Sequence, residues 1–93
     1  MYAVEFKPKA QKSFNKLDPS VRRQVNEAIL RRAVNPHISS AMLAGSLAGF
    51  YKIKLKKLGL RVIYSVEDDK LLILVIAIGK RDKGEVYDTD AEN

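Results

Sequence analysis

Lys52 and Lys54 in YKIKL and Arg61 in GLRVIY are cations set two residues apart and then returned to by a turn, a pattern suited to holding an anion. Tyr51, Ile53 and Leu55 alternate with the two lysines, and Leu60, Val62 and Tyr64 alternate with Arg61 and Ile63. Period-2 alternation of this kind predicts two half-buried strands. A turn centred between Lys57 and Leu58 pairs Leu55 with Leu60, Ile53 with Val62 and Tyr51 with Tyr64, and it sets Lys54 directly opposite Arg61. A slip of one residue would mix the faces. Like charges placed opposite one another cost about a few tenths of a kcal/mol, so a chain that keeps them there is expected to meet an anion.

A solvated outer face is the plain alternative, because charge on the exposed side of an antiparallel sheet is ordinary. Local composition weighs against it. No Asp or Glu occurs between Ala28 and Val66, whereas Arg31, Arg32, Lys52, Lys54, Lys56, Lys57 and Arg61 all do. Surface charge kept only for solubility mixes its signs.

These residues need a scaffold, and the length bounds it. A chain of 93 residues predicts one domain with one core, spanning 1–93, with 88–93 as a frayed acidic tail. The 46% hydrophobic content argues against disorder. No apolar run approaches the roughly 18 residues of a membrane span, and MYAVEFKPK lacks the apolar stretch of a signal peptide. With no cysteine, disulfides and thiolate chemistry are excluded, which suits a reducing cytoplasm. Seventeen basic against eleven acidic side chains leave +6, a balance that favours nucleic acid or another polyanion as partner.

In chain order, MYAVEF alternates as a first strand, and Pro8 suits the first turn of a short helix whose inner side is Ala10, Phe14 and Leu17. Asp18 and Pro19 suit the N-cap and first position of a second helix, with Val21, Val25, Ala28 and Ile29 inward and Arg22, Arg23, Arg31 and Arg32 as its fringe. Asn35-Pro36 ends it. Residues 37–49 read as a connector that packs Met42 and Leu43 inward. After the basic hairpin and the turn at 67–69, the uninterrupted run LLILVIAIG, Leu71 to Gly79, predicts a central strand covered on both faces. The expected architecture is an α+β domain, β-α-α-β-β-β, with both helices on one face of a mainly antiparallel sheet. The other face is expected to be open and to carry Lys52, Lys54 and Arg61.

The chemistry open to this inventory is narrow. There is no glycine-rich phosphate motif, no Walker sequence and no histidine cluster, so neither cofactor nor metal is expected. The single His37 follows Pro36 in a loop and reads as a surface residue, which excludes cleavage of a phosphodiester by two histidines. Lysine, arginine, tyrosine and carboxylate remain. A cation crowded by other cations releases its proton more readily than an isolated one. Arginine neutralises charge building on a pentacoordinate phosphate. Tyrosine stacks on a base or hydrogen-bonds the nucleotide.

Together, YKIKL, GLRVIY and IGKRDKGEVY strongly resemble the RelE group of bacterial toxin–antitoxin toxins, which cleave mRNA on the ribosome. The likeness extends to the VEF strand, the helix pair around KLDPSVRRQV, the LAG element before the hairpin and the terminal GEVY. The resemblance implies a compact β-α-α-β-β-β toxin domain, the ribosomal A site with its 16S rRNA as workplace, and mRNA as substrate. It also implies a cytoplasmic RelB-type antitoxin as partner, with a hetero-oligomer reaching operator DNA through that antitoxin. Position by position, it places the active set at Lys52, Lys54, Arg61, Arg81 and Tyr87. The implied reaction is attack of a ribose 2′-hydroxyl on the adjacent phosphorus. Lys56, Lys57, Arg31, Arg32, Lys80 and Lys83 are expected to dock on RNA or the ribosome through salt-sensitive contacts. Without the resemblance, Arg81 reads as a surface ion-pair partner of Asp82 or Glu85, and Tyr87 reads equally as a core or rim aromatic.

Two departures from the group stand out. The chain stops soon after Tyr87, where many relatives continue into a helix, and Ala44 stands where a basic residue can occur. Two other classes of function stay open: a ParE-like inhibitor of DNA gyrase, and a non-catalytic homologue that binds an antitoxin and tunes repression of their operon.

Overall fold

The computed structural model describes residues 1–80. Arg81, Lys83, Tyr87 and the acidic tail therefore lie outside the described residues. The order is β1 (Ala3–Phe6), α1 (Pro8–Asn15), α2 (Pro19–Val34), β2 (Tyr51–Leu55), β3 (Leu60–Glu67) and β4 (Leu72–Lys80), with short 3-10 turns between the later elements. This is the expected β-α-α-β-β-β sequence.

Both helices begin where proline predicts. Pro8 and Pro19 occupy first helical positions, where a missing N–H costs nothing. Asp18 stands at the N-cap of α2 without a side-chain capping bond. Asn35, ahead of Pro36, leaves the helical region at φ −148° and ends the helix. Val25, Ala28, Ile29 and Ala33 bury the inner stripe of α2, and Phe14, Leu17 and Val21 pack against the same core while partly exposed.

The four strands form one sheet in the order β1-β4-β3-β2. β1 runs parallel to β4, and the other two pairings are antiparallel, so β4 is central, as its apolar run predicts. It begins at Leu72 because Leu71 closes the preceding turn in the left-handed region at φ 49°. The hairpin register is the one that alternation requires: Tyr51 faces Tyr64, Ile53 faces Val62, Lys54 faces Arg61 and Leu55 faces Leu60. Gly59, at φ +66°, caps its turn, and the space around it would admit a side chain, so the backbone angle alone asks for glycine.

A bulge interrupts the alternation. β3 and β4 pair Ile63 with Ala77 but Tyr64 with Val75, which leaves Ile76 as an extra residue. Val75 and Ile78 consequently face the helices, while Ile76 and Ala77 both turn to the other side. That side is not the open face the sequence suggests. Ile63, Ile76 and Ala77 are buried there, with Leu43, Phe50 and Leu74 packed against them. The connector supplies this cover: it makes two 3-10 turns at Ser39–Ala41 and Gly45–Leu47, and the Leu43 N–H donates to the Phe50 carbonyl at 2.9 Å. Met42 does not pack inward. It bridges Tyr51 through its backbone, and its side chain stays half exposed.

Ile73, 1% exposed beneath the helices, should cost about 2–5 kcal/mol when changed to Ala. Val34→Ala, at a site 69% exposed, should stay within about 0.5 kcal/mol. Urea unfolding of both variants checks the core assignment.

Candidate functional site

Cross-strand partners share a face, so Lys52 opposite Ile63 and Lys54 opposite Arg61 put the three cations on the side turned away from the helices. Lys54 is exposed there, whereas Lys52 and Arg61 are partly buried. They rise beside the Ile63, Ile76 and Ala77 cluster. An apolar floor next to charged groups lowers the local dielectric and strengthens whatever electrostatics a bound anion meets.

Two cavities flank Lys54. One, of about 280 Å³, is lined by Arg32, Ser40, Ala41, Lys52 and Lys54. The other, of about 390 Å³, lies between α2 and the hairpin turn and is lined by Gln24, Glu27, Arg31 and residues 54–58. Three of the docking cations named from sequence, Arg31, Lys56 and Lys57, therefore come together around Lys54. Lys80 does not join them: it faces Leu60 at the end of β4, and Leu60 belongs to the helix-side core. Ser40 is the residue that sequence reading passes over, because a serine in a small-residue connector carries no periodic signal.

Adjacent arginines at the end of α2 part company. Arg32 turns onto the sheet, where its Nη1 donates to the Lys52 carbonyl at 3.0 Å and to the Tyr64 hydroxyl at 2.9 Å. Tyr64 is fully buried, lies stacked on Tyr51 with ring centroids 5.3 Å apart, and donates its own hydroxyl to the Pro36 carbonyl at 2.8 Å. Burial pushes the Tyr64 phenol up, and the nearby Arg32 works against that shift. Neither acceptor of Arg32 is charged, so these bonds hold the guanidinium without neutralising it.

His37 is tied on both ring nitrogens. A carboxylate only accepts, so Nε2–H donates to Asp68 Oδ1 at 2.7 Å; in the neutral ring Nδ1 then accepts from the Tyr51 hydroxyl at 2.9 Å. Tyr2 donates to the same Asp68 oxygen at 2.6 Å. These bonds fasten the loop after α2 to β2 and to the β3–β4 turn. Among the described residues there is no group of three or more His, Cys, Asp or Glu placed to hold a metal ion, and no helix is long and apolar enough to cross a membrane.

Comparison with known proteins decides the family. A model described as the ParE toxin of the type II toxin-antitoxin system, parDE, matches residues 4–84. A RelE-like toxin protein of Escherichia coli is 41% identical over 91 residues, 98% of this chain and 95% of the relative. The chain belongs to the RelE/ParE family of toxins. Among its RelE relatives, the mRNA interferase toxin RelE of Escherichia coli strain K12 is 37% identical over 86 residues, 92% of this chain and 90% of that one. The toxin in the intact E. coli RelBE toxin-antitoxin complex superposes with a TM-score of 0.80 at 35% identity, covering 86% of this chain and 96% of its own. The fold of this RelE-like chain is thus the fold of solved RelE toxins.

The hydrogen bond from His37, and after it the one from Tyr2, holds the Asp68 carboxyl below its usual value. A group depressed in this way stabilises the fold above its unfolded pKa, and that contribution is lost as pH falls through the lower, folded one. Thermal melting followed below about pH 4, the ordinary aspartate range, should lose stability as acid is added, and Asp68→Asn should flatten that part of the profile. An identical acid profile in the variant would show that the tie contributes nothing.

Proposed function

We propose that this RelE-like chain is the toxin of a type II toxin–antitoxin pair and a metal-independent endoribonuclease that cleaves mRNA in the ribosomal A site, stopping translation. The observation that carries this reading is the placement of Lys52, Lys54 and Arg61 on one sheet face, in a chain 37% identical to a protein named mRNA interferase toxin RelE. Lys52 and Lys54 serve proton transfer and phosphate binding. Arg61 and Arg81 stabilise the charge of the transition state, and Tyr87 stacks on or hydrogen-bonds the nucleotide. In the step itself, a base takes the 2′-hydroxyl proton as the oxygen bonds to phosphorus. The P–O5′ bond then breaks, an acid protonates the leaving 5′-oxygen, and a 2′,3′-cyclic phosphate is left upstream.

The ribosome would contribute what the small domain lacks, namely the orientation of the mRNA. Arg31, Lys56 and Lys57, gathered beside Lys54, would dock through phosphates, with Lys83 adding to them. A cytoplasmic RelB-type antitoxin is the proposed neutralising partner, supported by the solved RelE relative that stands in complex with one. The excess of basic charge fits an acidic, partly disordered segment of that partner. A second reading, inhibition of DNA gyrase, is favoured by one observation, the match to the ParE toxin model. The lysine and arginine set weighs against it.

Purified protein, a defined mRNA and a ribosome programmed with an empty A site test both readings. Cuts confined to the A-site codon and dependent on the ribosome are expected. Lys54→Ala and Arg61→Ala should each lower the single-turnover rate by about 10²–10³. Cleavage of free RNA would remove the ribosome from the reading. No cleavage by a folded protein that blocks gyrase supercoiling would replace it with the second.

A further inference from the structure

Arg32 makes a contact that a docking residue does not need. β2 is the edge strand of the sheet among the described residues, held by the full ladder to β3 on one side and on the other by the single bridge from Met42 to Tyr51. At Lys52 that edge receives a donor from outside the sheet, because Arg32 Nη1 bonds the Lys52 carbonyl at 3.0 Å. The same nitrogen is anchored on the Tyr64 hydroxyl at 2.9 Å, and the guanidinium carbon lies 5.8 Å from the centroid of that ring. Tyr64 in turn is buried, stacked on Tyr51 and bonded to the Pro36 carbonyl. The guanidinium is therefore fixed by a rigid, buried partner before it reaches the strand. It also lines the same cavity as Lys52 and Lys54.

We propose that Arg32 is a positioning residue of the cleavage site: it holds the main chain at Lys52 and thereby sets where that lysine's amine stands on the cationic face. The proposal rests on the reading of Lys52 as a catalytic residue. Its physical basis is the steep dependence of a proton transfer on geometry, where a displacement of about 1 Å costs roughly 10²-fold in rate. Arg31, one residue earlier, lines the cleft with Lys56 and Lys57 and keeps the docking role. The two neighbouring arginines thus divide the work of holding RNA and of holding the strand.

The test compares wild type, Arg32→Met, Arg32→Lys, Lys52→Ala and the Arg32→Met/Lys52→Ala double variant in single-turnover cleavage on programmed ribosomes. Ribosome affinity is measured across salt, and the Lys52 carbonyl resonance is followed by NMR in the free protein. Arg32→Met keeps the apolar stem and removes the donors. It should lower the saturated rate about tenfold or more while affinity and its salt dependence stay within about twofold. Arg32→Lys, which retains a donor and the charge, should recover much of the loss. In the Lys52→Ala background, Arg32→Met should add less than about twofold, because its effect passes through the lysine already removed. The Lys52 carbonyl resonance should move in Arg32→Met.

Weakened affinity with a salt slope reduced by about one, at an unchanged saturated rate, would make Arg32 a docking charge and overturn the proposal. So would a full further loss in the Lys52→Ala background. If Arg32→Met does not fold, Tyr64→Phe removes one anchor and keeps the stacked ring, and it must lower the rate without lowering affinity. If the wild type cleaves nothing, the cleavage reading fails by itself. The carbonyl resonance then decides the contact separately: unmoved, it overturns the positioning role; moved, it upholds the hold on the strand.

Discussion

The pairing of β2 with β3 is the constraint on which the rest depends. With Leu55 against Leu60 and Ile53 against Val62, the helix side of the hairpin is wholly apolar and the other side carries Lys52, Lys54 and Arg61. A slip of β2 by one residue would turn Lys52 and Lys54 toward α2 and expose Tyr51, Ile53 and Leu55 while β3 stayed in place on β4, a cost of several buried side chains at about 1.5–3 kcal/mol each. That cost outweighs the few tenths of a kcal/mol, roughly, that the Lys54–Arg61 juxtaposition takes away. Core packing therefore dictates that the cations crowd together, and their mutual repulsion is tolerated because the alternative register is worse.

Crowded cations gain from a dry neighbour, and the bulge in β4 provides one. By inserting Ile76, β4 turns two consecutive residues, Ile76 and Ala77, to the cationic side while keeping Val75 and Ile78 under the helices. Leu43 and Phe50 close over them. The sheet thus has a large core on one face and a small apolar patch on the other, beside Arg61 and Lys52. A phosphate bound there meets positive charge that is less screened than on a fully wetted sheet.

Polar ties then fix the edges of the site to the scaffold. Tyr64 and Arg32 connect the end of α2 to the backbone of β2, and His37 with Asp68 connects the following loop to the β3–β4 turn. Each joins segments far apart in the chain. They add to β3 and to the Met42–Tyr51 bridge in holding the edge strand, and the two acceptors of Arg32 are neutral, so those bonds leave its charge in place. These ties add to the two buried clusters at the edge of the sheet where the cations lie.

Local patterns determined much of this protein. Alternation set β2 and β3 and their register, proline set the starts of both helices, and the uninterrupted apolar run set β4 at the centre. The cationic stretch free of Asp and Glu marked the face where Lys52, Lys54 and Arg61 meet. These features were legible because each follows from neighbours within a few residues, where period and sterics suffice. The bulge at Ile76, the cover provided by Leu43 and Phe50, the arrival of Ser40 beside Lys52, the opposite fates of Arg31 and Arg32 and the double tie of His37 were not. Each depends on which distant segment lies alongside, and a side chain's partners across 14 to 32 residues of chain are decided only when the helices and sheet have packed.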